Sequence, residues 1–160
     1  MDATSSAAAQ SAERELVVTR IIDAPRDIVF SAWADPKQAA QWWGPQGFAT
    51  ISCEMDVRPG GAYRACMRSP EGTRHCRRGI YREVVKPERL VFTFAWEDAS
   101  GNPGHETVVT VTFDDVGGRT GLTLHQAMFE TESARDAHHG GWSSCLKRFA
   151  EYLATVLSSR

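Results

Sequence analysis

The sequence contains no run approaching the ~18 consecutive apolar residues of a membrane span, so a helical membrane protein is not expected. Its first fifteen residues, MDATSSAAAQSAERE, have neither a basic segment nor an apolar one, and are not expected to act as a secretory signal. No charge dominates: 18 Lys and Arg stand against 20 Asp and Glu, a formal net charge of −2. A balance of this kind argues against a protein that coats nucleic acid or anionic membrane. There is no G-x-S-x-G elbow, no P-loop and no G-x-G-x-x-G, which removes the commonest local signatures of serine hydrolases and nucleotide binders. Disorder is excluded for most of the chain, because 42% of residues are apolar and 24% charged, ordinary for a globular domain. With 160 residues there is room for one domain with a real core.

Four cysteines, Cys53, Cys66, Cys76 and Cys145, lie apart without a C-x-x-C pair. With no secretory signal the expectation is a cytoplasmic protein with four free thiols. No metal site is expected, since no ligand pair has zinc spacing and the adjacent His138 and His139 diverge by ~100° on a helix. No cofactor is expected either.

Residues 1–14 are rich in Ala, Ser and Gln without periodicity and read as a disordered tail; residues 15–157 read as a single domain. ELVVTRII from Glu15 has the β-branched character of a strand. Asp23-Ala24-Pro25 ends it and opens a short helix with Ile28, Val29, Phe30 and Trp33 on its apolar side. Asp35-Pro36 opens a second, which stops at Trp42-Trp43-Gly44-Pro45. Between Phe48 and Met128 the period changes. Six partly alternating segments are separated by turn clusters such as Arg58-Pro59-Gly60-Gly61 and Lys86-Pro87-Glu88. Each connection is too short for a crossover helix, which predicts an antiparallel meander. Alternation groups Ile51, Cys53 and Met55; Leu90, Phe92, Phe94 and Trp96; and Val109, Val111 and Phe113. Last comes a stripe of Trp142, Leu146, Phe149, Leu153 and Val156, the spacing of a long amphipathic helix, with Ser133 and Asp136 as a capping box. Gly140-Gly141 interrupts it and suggests close approach of the helix backbone to a strand or a ligand. The expected fold is α+β, a curved seven-stranded antiparallel sheet wrapped round a long C-terminal helix, with two short helices after strand 1. One helix cannot cover seven strands, so part of the inner face is expected to form a pocket.

Candidate pocket residues follow from that arrangement. Phe92, Phe94 and Trp96 on one strand, with Trp142 and Leu146 on the helix, either fill the core or line the cavity. Two adjacent tryptophans cannot both point inward from a short helix, so one of Trp42 and Trp43 is expected to cap the mouth. Tyr63 and Met67 join the lining if they face in with Ala65, and Tyr81 and His139 are polar candidates. His75, Glu83 and His125 are weaker ones, His125 pointing away from the core. Cys145 reads as an inert buried thiol. Seven arginines (Arg58, Arg64, Arg68, Arg74, Arg77, Arg78 and Arg82) face a single acid, Glu71, between residues 58 and 82. They read as a solvated outer sheet face, although a one-residue slip would turn some inward, where they would suit a carboxylate or phosphate. Were the chain an enzyme, Tyr81, Glu83 or a histidine would carry the proton.

The order and spacing of several elements resemble a known family. They are Asp23-Ala24-Pro25 with Val29, Phe30 and Trp33; Asp35-Pro36 leading to Trp42-Trp43-Gly44-Pro45; Arg58-Pro59-Gly60-Gly61; Pro70-Glu71-Gly72; Gly79 and Tyr81 with Pro87-Glu88-Arg89-Leu90; and Gly141-Trp142 with Leu146. Together they resemble the SRPBCC, or START-like and Bet v 1-like, superfamily, and within it the family named after the activator of the heat-shock-protein-90 ATPase. The resemblance spans roughly residues 15–157 and implies the helix-grip fold. It implies a small hydrophobic or aromatic ligand, lipid-like or polyketide-like, bound between sheet and helix by a carrier or sensor, and a role in stress response. The alternatives it carries are an enzyme of the polyketide cyclase or dehydratase type and a chaperone-regulating interaction module. No nucleic acid and no membrane span are expected, and the chain is expected to be a monomer or homodimer.

Overall fold

The computed structural model describes residues 14–158, so residues 1–13 of the expected tail lie outside the described residues. Seven strands and three helices follow in the order β1 (Leu16–Ile22), α1 (Arg26–Ala34), α2 (Pro36–Trp42), β2 (Ala49–Met55), β3 (Ala62–Arg68), β4 (Arg74–Val85), β5 (Arg89–Trp96), β6 (Thr107–Val116), β7 (Arg119–Ala127) and α3 (Glu132–Ser158). The strands form one sheet in the order β1-β7-β6-β5-β4-β3-β2 with every pair antiparallel. Strands β2 to β7 are the expected meander, and β1 closes the far edge against β7. The sheet curves round α3, with the two short helices after β1, in the expected α+β helix-grip arrangement.

Local chemistry explains the boundaries. Asp35 caps α2 by accepting the Lys37 N–H at 3.0 Å, and Pro36 occupies the first helical position, where a missing N–H costs nothing. The start of α3 differs from the expected Ser133 cap. Thr131 Oγ1 accepts the Ala134 N–H at 3.0 Å, so the cap lies two residues earlier and Ser133 is already helical. In β2 the pairing with β3 shifts between Thr50 and Ser52, leaving Ile51 as a bulged residue. Ile51 is therefore exposed rather than grouped with the half-buried Cys53 and Met55.

The core lies between the inner face and the helices. Val109, Val111 and Phe113 of β6, Leu122 and Leu124 of β7, and Leu90 and Phe92 of β5 are buried against Trp33, Trp42, Leu146, Phe149 and Leu153. Two expectations about the chain's special residues are corrected. Cys66 and Cys76 stand opposite each other on β3 and β4 and form a disulfide, leaving Cys53 and Cys145 as the free thiols. A disulfide needs two Cβ atoms facing at short range; cross-strand pairing supplies that between residues ten apart in sequence. The glycine pair in α3 does not mark close approach to a strand, since a Cβ built at Gly140 or Gly141 meets nothing within 4 Å.

Candidate functional site

A cavity of about 250 Å³ opens between the N-terminal half of α3 and the β3–β5 part of the sheet. The loop after α2 contributes Trp43, Gly44, Pro45 and Phe48. Met67 comes from β3, His75 and Arg77 from β4, and Phe94 and Trp96 from β5. The helix contributes Ala137, His138, Gly141, Trp142 and Cys145.

The loop wall is built by a change of backbone direction. Trp42 ends α2, and Trp43 is extended at φ −73° and ψ 118°, so both indoles turn inward and neither caps the mouth. Their rings lie 6.2 Å apart at an interplanar angle of 16°. The next residue, Gly44, has φ +125°, and a Cβ there would press on Met67 Sδ at 3.1 Å. That position requires glycine. Hydrogen bonds from α3 hold the loop: Arg148 donates to the Phe48 carbonyl at 2.9 Å, and Ser144 Oγ accepts the Gln46 N–H at 2.9 Å.

Buried polar groups fix the other walls. Trp142 Nε1 donates to Gln126 Oε1 at 2.8 Å, Gln126 Nε2 donates to Thr107 Oγ1 at 2.8 Å, and Thr107 donates to the Phe94 carbonyl at 3.1 Å. At the mouth Trp96 Nε1 donates to His138 Nε2 at 2.9 Å, so His138 is the neutral tautomer with its proton on Nδ1. Burial pushes the His138 pKa down to about 4, which keeps it neutral at physiological pH. Cys145 is also unreactive: burial raises its thiol to about 11, while it accepts the Gly44 N–H at 3.4 Å and donates to the Trp42 carbonyl at 3.6 Å.

Arg77 is the exception in this apolar lining. Its residue is 3% exposed, and its guanidinium carbon sits 4.3 Å from the Trp43 ring centroid. The face of β4 that carries it is set by pairing. Ala65 stands opposite Arg77 on β3 and Trp96 opposite it on β5, all turned to the cavity side. Gly79, two residues on, has room for no Cβ, which would fall 1.9 Å from the Thr93 carbonyl oxygen.

Of the candidates taken from sequence, Trp43, Met67, Phe94, Trp96 and Trp142 line the cavity. Trp42, Phe92, Tyr81 and Leu146 are packed in the core instead. Tyr63 is buried as well, donating its hydroxyl to the Thr93 carbonyl at 2.6 Å and stacking on Trp43. His139 is exposed and its neighbour His138 faces the cavity, because the ~100° step along a helix separates them. Sequence reasoning missed Arg77, Phe48 and His138 as lining residues. Arg77 had a signal: with Tyr81 inward, the two-residue period of a strand turns Gly79, Arg77 and His75 inward too. His125 points outward to Glu15 at 3.4 Å. The remaining arginines of the basic stretch are partly or fully exposed, and Arg64 forms a bidentate pair with Glu97 at 2.7 and 2.8 Å. Among the described residues no helix is long and apolar enough to cross a membrane.

A family model described as activator of Hsp90 ATPase homolog 1-like protein matches residues 23–154. Solved structures share the fold. The AHSA1 protein of Silicibacter pomeroyi is 26% identical with a TM-score of 0.81, covering 88% of this chain and 98% of that one. A protein from Chromobacterium violaceum is 27% identical with a TM-score of 0.76, covering 86% and 95%. One from Nitrosomonas europaea, 24% identical with a TM-score of 0.77 over 92% and 98%, is alike in fold. No curated protein matches the chain.

Proposed function

The chain belongs to the family of activator of Hsp90 ATPase homolog 1-like proteins, and from that premise we propose that it binds a small aromatic or hydrophobic molecule between the sheet and α3. It acts as a carrier or sensor of that molecule. The observation that carries this reading is the unfilled space of about 250 Å³ beside Trp43, Phe94, Trp96 and Trp142. Interiors normally pack to crystal density, and a dry cavity of ~150 Å³ is enough to hold benzene. Here the walls are held in place by hydrogen bonds that occupy the indole N–H groups of Trp96 and Trp142, so what the two rings offer a ligand is apolar aromatic surface. Thermal unfolding with a panel of aromatic acids, esters, flavonoids and fatty acids tests the reading. A ligand at one hundred times its Kd adds about 2.7 kcal/mol of stability and raises Tm. An unchanged Tm and unchanged tryptophan emission across the panel would overturn it.

One observation favours a second reading, an enzyme working in the same cavity. His75 and His138 both lie beside Trp96, with ring centroids 6.3 and 5.9 Å from it. Of the two, His138 has its acceptor nitrogen occupied by Trp96, which leaves His75 as the candidate proton carrier for work on a bound ring. Mass spectrometry of any ligand found by the thermal screen, before and after long incubation, decides between carriage and turnover.

A further inference from the structure

The Glu97 carboxylate is out of solvent but paired with Arg64 and Arg78, and among the described residues the only charged residue buried as a whole is Arg77. Its neighbours on the basic stretch are satisfied at the surface, Arg64 and Arg78 by Glu97, Arg58 by Asp56 and Arg82 by Glu106. Arg77 has no carboxylate partner among the described residues. Its Nη1 reaches only the Met67 sulfur at 3.5 Å, and its buried Nε has no hydrogen-bond partner at all. The ionisable groups that act on it electrostatically, Cys145, Tyr63 and Cys53, are two thiols and a phenol that stay neutral at physiological pH. Guanidinium remains protonated even where burial disfavours it, so the cavity holds a standing positive charge. The Trp43 face stabilises one side of that charge. Nothing in the described chain supplies the anion. No Asp or Glu lines the cavity to compete for it.

We propose that the ligand of this pocket is an aromatic carboxylate, its ring held by Phe94, Trp96 and Trp142 and its acid group paired with Arg77. The proposal rests on the aromatic-pocket reading and narrows it. A carboxylate is the planar two-oxygen acceptor that matches the guanidinium fork, and it supplies the opposite charge that Arg77 lacks. The low dielectric of the apolar walls strengthens the pairing and selects the acid over neutral rings of the same shape. The cavity volume suits one ring or two fused rings.

Calorimetric titration of the full chain at neutral pH tests this with benzoate, cinnamate and 2-naphthoate, each against its methyl ester. The best acid binds the wild-type protein at least tenfold more tightly than its ester. In Arg77→Met the order reverses, the acid losing tenfold or more while the ester is retained. Arg77→Lys, which keeps the charge without the fork, falls between. An ester that equals its acid on the wild-type protein sinks the anionic ligand and leaves the aromatic pocket standing. So does an Arg77→Met protein that is folded by circular dichroism and holds the acid as tightly as wild type. If neither acids nor esters bind the wild-type chain, the aromatic pocket itself is wrong and this proposal goes with it. The acid-against-ester comparison uses no variant, so it decides the matter even if Arg77→Met fails to fold.

Discussion

The two halves of α3 bear one continuous apolar stripe and meet the sheet in opposite ways. Along the C-terminal half, Phe149 is fully buried with its ring 4.5 Å from Trp42 and 6.0 Å from Trp33, and Leu146 and Leu153 fill the rest. Along the N-terminal half, Trp142 and Cys145 stand beside open space. Both halves are rich in aromatics, so aromatic density does not locate the cavity. Small residues do. Ala137, Gly141 and Gly44 border the open half, where the closed half has Phe149, Leu153, Trp33 and Trp42.

The sharpest way to break this contrast is truncation on either side of it. Phe149→Ala should cost about 3–5 kcal/mol, as buried Phe-to-Ala changes do. Trp96→Ala at the half-open mouth should cost under ~1 kcal/mol, with the difference read from urea midpoints at constant slope. Equal losses would mean that the open half is packed like the core. A smaller effect sharpens the contrast through the glycine pair. Gly141→Ala and Gly140→Ala should each stabilise α3 by up to ~1 kcal/mol through helix propensity. Gly141→Ala alone should also weaken binding of whichever aromatic probe the pocket takes, because Gly141 borders the cavity while Gly140 is exposed. A Gly140→Ala protein that loses the probe equally would place the ligand elsewhere. The smallest effect is on pH. Unfolded His138 takes a proton near its ordinary pKa of ~6.5, whereas the folded chain holds it neutral down to about 4. Between those values the unfolded state binds more protons, so this contribution to stability is intact above ~6.5 and is lost as pH falls towards 4. A His138→Gln variant should show a shallower fall in Tm over that window, and parallel curves would remove His138 from the account.

Much of the fold was legible because hydrophobic period and turn chemistry act locally. Short Gly- and Pro-bearing connections between Phe48 and Met128 force neighbouring strands together, and the Trp142–Leu153 stripe sets the buried face of α3. The site was less legible, since it depends on where local rules end. Trp43 turns inward because the chain leaves α2 in an extended conformation, a change of direction that no periodicity marks. Thr131 caps α3 by hydroxyl geometry that Ser133 imitates in sequence. Ile51 faces out through a bulge of one residue. Phe92, Tyr81 and Trp42 look like lining residues by composition, and only the packing of Trp42 on Phe149 and Trp33, and of Phe92 and Tyr81 on Tyr63, shows them closed into the core.

Arg77 faces the cavity only while β3 and β4 keep their present alignment; a slip of one residue would exchange it for Arg78. The Cys66–Cys76 bond joins residues directly opposite each other, on strand positions that alternate with Ala65, Met67 and Arg77. It forbids that slip. The covalent link therefore works as a selector, fixing from the far side of the sheet which of two adjacent arginines lends its charge to the interior. Reduction would leave the alignment to the hydrogen-bonded ladders and side-chain packing, and the identity of the charge inside would become a matter of equilibrium rather than of covalent bonding.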